Sequence, residues 1–280
     1  MGNNTLRIVS WNCHYGFDGE KPNVIKEFNA DILVIPECRE MDMEESGYDK
    51  EHRNWWGDHK EAKDKFENIN KEKDLGVGVF WKDGITVTRL DKWDKSLSQN
   101  CDFRYLIPYT IEGDFKTFTL IAVWTKDRYK LDKNDQLKYT QKLIAAIDHY
   151  KSIGLLDDQV VLIGDFNTYA KDSNDNLKKL EEKLKPLINC TENSSFHTRK
   201  TYYDARYGYG IDDFCFISGN MKNNSKKIEV DIPNDWDNNN NWKGSDQLSH
   251  QSRFYLLTLF FPHFSPSKNI FTLSLYDRVA

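Results

Sequence analysis

The stretch Val160-Val161-Leu162-Ile163-Gly164-Asp165-Phe166-Asn167 constrains this chain more than any other. Four consecutive aliphatic residues read as a strand buried on both faces. Gly164 allows a tight turn at its end. Strand alternation then sends Asp165 and Asn167 the same way. A carboxylate and an amide held side by side at the end of a buried strand suit a metal ion or a phosphate. For the fragment alone, an acidic loop after a core strand is an equal reading.

A strand buried on both faces needs cover, and the rest of the chain supplies it. Residues 6–12 alternate, with Leu6, Ile8 and Ser10 on one face and Arg7, Val9 and Trp11 on the other. Residues 31–36 form a second buried strand ending at Glu37. Residues 76–81 and 85–87 are further strands joined by a Lys82-Asp83-Gly84 turn. Residues 105–111 and 115–123 form a hairpin around Glu112-Gly113-Asp114, and residues 210–217 are one more strand. Val24, Ile25 and Phe28 sit at helical spacing after Pro22-Asn23. A long helix runs from Asp135 to Ser152, with Leu137, Ile144, Ile147 and Tyr150 inward and Gly154 stopping it. Leu177, Leu180, Leu184 and Leu187 mark another. Residues 40–74 are charged and rich in Trp, and read as a long surface excursion. Many strands with interspersed helices predict a mixed α/β sandwich. At 280 residues and 39% hydrophobic, with no linker, the chain is expected to form a single domain over residues 1–280.

The net charge of −5 argues against a basic coat for non-specific nucleic-acid binding. An anionic substrate would have to be held by local basic groups and a bound cation. The five cysteines are scattered without CxxC pairs, so neither a disulfide framework nor a zinc site is expected. The N-terminal residues do not form a signal peptide, and no apolar run is long enough to span a bilayer. The expected location is cytoplasmic.

Polar residues recur where apolar runs or glycine turns end: Asn12, Glu37, Asp165 with Asn167, Asp212 and Asp246. Such oxygen ligands suit Mg²⁺, which binds through one or two carboxylates and keeps several waters. The order and local wording of these pieces resemble the endonuclease/exonuclease/phosphatase superfamily, the DNase I-like proteins. The matching fragments are Ser10-Trp11-Asn12, Pro36-Glu37-Cys38, Gly164-Asp165-Phe166-Asn167, Ile211-Asp212 and Ser245-Asp246.

The resemblance implies a four-layer α/β sandwich, two packed mixed sheets flanked by helices. It also implies a Mg²⁺-dependent phosphodiester hydrolase, with Mn²⁺ as the substitute metal and nucleic acid as the leading substrate. Glu37 would be the principal metal ligand, with Asn12 and Asp246 beside it. Asp165 would position or deprotonate the attacking water, and Asn167 would hydrogen-bond a phosphate oxygen. Asp212 would buttress a catalytic histidine, with Asp213 as the alternative acid of the pair. Arg104 and His197 would bind phosphate. Trp55, Trp56, Lys126, Arg128, Lys130, Arg199 and Lys200 could flank a nucleic-acid backbone. The alternatives are a phosphomonoesterase or lipid-headgroup phosphodiesterase of the same fold, and a catalytically impaired binding module.

Two places depart from the family. Trp124-Thr125 stands where many of its nucleases place a catalytic His or Tyr, and a core or rim Trp is the plainer reading there. The usual Ser-Asp-His-x-Pro becomes Ser245-Asp246-Gln247-Leu248-Ser249. Gln247 can donate a hydrogen bond but cannot shuttle a proton, and His250 could substitute only through a change of register. Removing the third base of the Gln247 codon always gives a His codon, because Leu codons begin with T or C. Leu248-Ser249-His250 can then read Cys-Pro-Ile, which fits the motif. No Asp or Glu occurs from Gln247 to Tyr276, in a chain otherwise rich in both. Residues 247–280 are therefore expected to be a shifted-frame tail. The competing reading is a divergent C-terminus in which residues 254–261 form the final strand.

Overall fold

The structure is a computed structural model that describes residues 4–12, 16–19, 21–57, 75–90, 106–125, 136–156, 158–167, 176–190, 202–204, 208–210, 213–224, 227–231 and 253–261. Two six-stranded sheets carry the architecture. The first runs, edge to edge, β13 (Lys227–Asp231), β14 (Arg253–Phe261), β1 (Asn4–Asn12), β2 (Ile32–Arg39), β4 (Leu75–Trp81) and β3 (Arg53–Gly57). The second runs β5 (Thr86–Arg89), β6 (Leu106–Gly113), β7 (Phe115–Trp124), β8 (Val160–Asp165), β12 (Asp213–Ile217) and β9 (Ile188–Asn189). Each is mixed, because β1 lies parallel to β2 and β7 parallel to β8. A small ribbon pairs β10 (Tyr202–Asp204) with β11 (Gly208–Gly210). The helices are α1 (Lys21–Lys26), α2 (Asp42–Glu45), α3 (Gln136–Ser152), α4 (Asn176–Leu184) and α5 (Gly219–Asn224).

Alternation along the strands sorts the apolar side chains into layers. Leu6 and Ile8 of β1, Ile32 and Val34 of β2, and Val77 and Val79 of β4 share one cluster with the strands of the second sheet. That cluster continues through the second sheet onto Leu143, Ala146, Ile147 and Tyr150 of α3 and onto Leu180 and Leu184 of α4. The opposite face of the first sheet, with Val9, Trp11, Leu33, Ile35 and Phe80, is covered by Phe17, Ile25 of α1 and Met43 of α2. Helices therefore flank both outer faces of a two-sheet α/β sandwich, as the sequence predicts.

Several local expectations need correction. Residues 40–74 do not form one surface excursion. Asp42 and Met43 are buried, and β3 is an edge strand paired with β4. The Lys82-Asp83-Gly84 turn passes the chain from the first sheet to the second, since β4 and β5 belong to different sheets. Helix α1 stops at Lys26, and Asn29 in the left-handed conformation (φ 48°) closes the turn, so Phe28 packs from outside the helix. Leu143 and Ala146, rather than Ile144, face the core from α3. Leu187 is buried but lies beyond the end of α4. The hairpin around Glu112-Gly113-Asp114 forms as expected, with β6 antiparallel to β7. Residues 253–261 form β14, which pairs with β1 from Asn4↔Phe261 to Asn12↔Arg253.

Gly164 does not make a turn. It lies inside β8, between Val123 of β7 and Phe214 of β12, at φ 145°. A Cβ there would come within 2.0 Å of the Val123 carbonyl oxygen. The glycine is required by the close approach of two backbones in a strained conformation. Gly164→Ala should lower stability by roughly 3 kcal/mol or more, from backbone strain and overpacking combined. Urea denaturation would measure the loss.

Candidate active site

β1, β2 and β8 end their polar residues at one edge of the sandwich. The Asn12 side-chain amide is the meeting point. Its Nδ2 donates to Asp165 Oδ2 at 2.7 Å and to Glu37 Oε1 at 3.2 Å. The first of these bonds crosses between the sheets and joins residues 153 apart in the chain. All three side chains are buried, at 2%, 0% and 8% exposure for Asn12, Asp165 and Glu37.

Each is aimed there by a local device. Asn12 follows from alternation, being on the Leu6–Ile8–Ser10 face of β1. Glu37 does not follow from alternation. Ile35 and Cys38 both pack in the outer cluster although they are three residues apart, which a regular strand cannot do. The register of β2 against β4 shifts between Pro36 and Cys38, and Glu37 takes φ 60° at that bulge. The irregularity turns Glu37 toward Asn12 while β2 resumes on its far side as far as Arg39.

Asp165 is fixed from several directions. Asn167 donates its backbone N–H to Asp165 Oδ1 (2.9 Å) and its Nδ2 to Asp165 Oδ2 (3.3 Å). This turn, with Asn167 at φ 45°, brings the acid and the amide together. It replaces the simple strand alternation expected from sequence, because Asn167 lies past the end of β8. Thr125, which the sequence reading left without a role, holds the same backbone. Its N–H donates to the Asp165 carbonyl (3.1 Å) and its Oγ1 to the Phe166 carbonyl (2.5 Å). Trp124 is the fully buried core residue of the plainer reading, paired in register with Asp165.

Of the 211–213 segment, Asp212 lies outside the described residues, whereas Asp213 opens β12 directly opposite Asp165. Directly opposed residues of an antiparallel pair share a face, so Asp213, at 1% exposure, stands beside Asp165. Arg104, His197, Asp246, Gln247 and His250 lie outside the described residues, as do Lys126, Arg128, Lys130, Arg199 and Lys200. Trp55 and Trp56 are engaged within the fold. Trp55 Nε1 donates to the Cys38 carbonyl (2.8 Å), and the Trp56 ring carries the Arg89 guanidinium 4.2 Å from its centroid.

Among the described residues, no group of three or more His, Cys, Asp or Glu side chains is suited to a metal ion. The present residues nevertheless fit a hard divalent cation. Glu37 and Asp165 are buried carboxylates that converge on one amide, and all their ligand atoms are oxygens. Asp213 lies opposite Asp165 in register and is a further buried acid at this edge. Asn12→Ala would leave Asp165 and Glu37 facing each other without their shared donor. It should cost about 1–3 kcal/mol of stability in metal-free buffer, read by urea denaturation.

No family model matches the sequence, and no curated protein matches it. Solved structures do match. The endonuclease domain of TRAS1, a telomere-specific non-LTR retrotransposon, aligns with TM-score 0.59 at 13% identity, over 92% of this chain and 99% of that one. D. rerio TDP2 complexed with a single-strand DNA product aligns with TM-score 0.58 at 12% identity, over 91% and 99%. An AP endonuclease from Archaeoglobus fulgidus aligns with TM-score 0.54 at 18% identity, over 91% and 99%. At these identities the likeness establishes the fold. The chain has a DNase I-like fold, a two-sheet α/β sandwich.

Proposed function

We propose that this protein is a divalent-metal-dependent phosphodiester hydrolase whose substrate is nucleic acid. The observation that carries the proposal is the junction of Asn12, Glu37, Asp165 and Asn167. Side chains from three strands of two sheets, far apart in sequence, meet within hydrogen-bond distance at one buried edge. The similar solved structures are described as an endonuclease domain, an AP endonuclease and a DNA-product complex, which supports the choice of substrate.

Glu37, Asn12 and Asp246 would hold the metal. When bound, Mg²⁺ or Mn²⁺ would stabilise charge on the phosphate and on the leaving oxygen. Asp165, held by the Asn167 backbone and the Asn12 amide, positions the attacking water and accepts its proton. Asn167, whose amide Nδ2 donates to Asp165, would hydrogen-bond a phosphate oxygen as charge builds. The buttressing acid would be Asp212 or its neighbour Asp213, and the register that sets Asp213 opposite Asp165 supports Asp213 for that role. β14 begins opposite Asn12, seven residues after Asp246. β6 begins at Leu106, two residues after Arg104 and opposite Val123, the neighbour of Gly164.

The test incubates the protein with plasmid DNA, RNA, a chromogenic phosphodiester and a phosphomonoester, each in Mg²⁺ or EDTA. Nicking of DNA or RNA in Mg²⁺ and none in EDTA is expected. Asp165→Asn should lower kcat by about 10²–10⁴-fold, the range for loss of a positioned proton acceptor, and Glu37→Gln should lower metal affinity. Turnover in EDTA, or a Glu37→Gln variant that binds and turns over as wild type, would overturn the metal assignment. Phosphate release from monoesters alone would make the protein a phosphomonoesterase. Gln247→His should raise the rate, because it restores a proton-transferring group after Asp246. No turnover in either form would leave a binding module.

A further inference from the structure

Glu37 occupies a conformation that an ordinary side chain adopts at a cost of about 1–3 kcal/mol, and such a residue persists only where its surroundings over-determine it. The surroundings here form one hydrogen-bonded knot around the buried Asp42 carboxylate. The Glu37 carbonyl accepts the Gly16 N–H at 2.9 Å. Asp42 Oδ2 accepts the N–H of Phe17 at 2.6 Å and the N–H of Arg39 at 2.8 Å. Its Oδ1 accepts Arg39 Nε at 2.9 Å and lies 2.6 Å from an Arg39 terminal nitrogen. The same guanidinium reaches across to Asp18 at 2.5 Å.

These contacts have a common geometry. Gly16, Phe17 and Asp18 belong to the loop that leaves the Asn12 end of β1, and Arg39 is two residues past Glu37. The Asp42 carboxylate, at 0% exposure, ties the loop that hydrogen-bonds the Glu37 carbonyl, through Phe17, to the strand beyond the kink, through Arg39. Phe17 anchors the loop by its ring, which meets Trp11 edge-on at 6.3 Å and Phe80 at 5.4 Å. Gly16 leaves room for the guanidinium: a Cβ there would lie 2.8 Å from Arg39 Nε. A surface ion pair would contribute little and would need no such scaffold. This one is built on a fully buried carboxylate that accepts from two backbone N–H groups and from the guanidinium, next to a single strained residue.

We propose that Asp42 and Arg39 are positioning residues for Glu37, setting the metal affinity of the site without touching the metal. The inference rests on the metal-site reading above. Asp42→Asn breaks the knot at a defined place. The amide oxygen can keep either the two backbone N–H donors or the guanidinium, and its NH₂ then faces groups that are themselves donors. The kink at Glu37 loses a fastening and the carboxylate its fixed aim.

The experiment titrates the full chain with Mn²⁺ and reads free ion by electron paramagnetic resonance, with metal-free thermal unfolding recorded for each variant. Asp42→Asn should bind Mn²⁺ about 10–100-fold more weakly, the usual effect of losing a partner that orients a ligand. Arg39→Lys, which keeps the charge and loses part of the fork, should recover part of that affinity. Asp148→Asn, in the exposed pair with Lys183, should bind as wild type. Where Asp42→Asn fails to fold, Asp18→Asn replaces it and should show a smaller loss, because Asp18 holds only the outer end of the guanidinium. Wild-type affinity in Asp42→Asn or in its folded replacement, beside a wild type that binds, overturns the positioning role alone. A wild type that binds no Mn²⁺ overturns the metal-site reading and this inference with it.

Discussion

The hydrogen bond from Asn12 to Asp165 ties the polar ends of the two sheets, and the candidate site exists because of it. One partner ends a strand of the first sheet and the other ends a strand of the second. The bond can form only if the sheets approach closely at that edge, which requires the packed apolar faces below it. It also requires β8 to run flush between β7 and β12, and Gly164 permits that by leaving Val123 uncrowded. The Asn12 amide then offers a second interaction to Glu37, so three elements share one donor group.

Backbone strain gathers at the same edge. Among the described residues, the non-glycine residues with positive φ are Asn29, Glu37 and Asn167. Asn29 ends a helix, where such a conformation serves a cap. The other two belong to the polar junction of the candidate site, and neither would present its side chain there from a regular strand. Strain held in place by surrounding contacts is the signature of a preorganised site, where geometry is set before substrate or metal arrives. The Asp42–Arg39 knot and the Asn167 turn are the two restraints that hold it.

Much of this was legible in the sequence, for reasons tied to particular residues. The run from Val160 to Ile163 reads as a central strand because nothing polar interrupts it, and the face that carries Asn12 is legible because β1 alternates without a break. Glu37 was placed at the right point but for an incomplete reason. Its aim depends on a bulge whose fastenings, Gly16 and Asp42, come from other elements. β3 was hidden because Arg53-Asn54-Trp55-Trp56-Gly57 lies in a charged stretch and covers both of its faces with Trp, which masks alternation. That Asp213 lies opposite Asp165 is a matter of strand register, which pairing to β8 sets and local sequence does not. Gly164 was read as a turn former, since a glycine demanded by a neighbouring backbone carries the same letter as one demanded by a bend.

The central claim is that this edge is a single metal-holding site with Glu37 in it. Anomalous scattering from a crystal of the protein soaked in Mn²⁺ tests that most directly. The account predicts one dominant peak within about 2–2.5 Å of a Glu37 carboxylate oxygen, the range for oxygen ligation of hard cations, and close to Asn12 and Asp165. A fully occupied ion elsewhere in the molecule, with no density at Glu37, would contradict it.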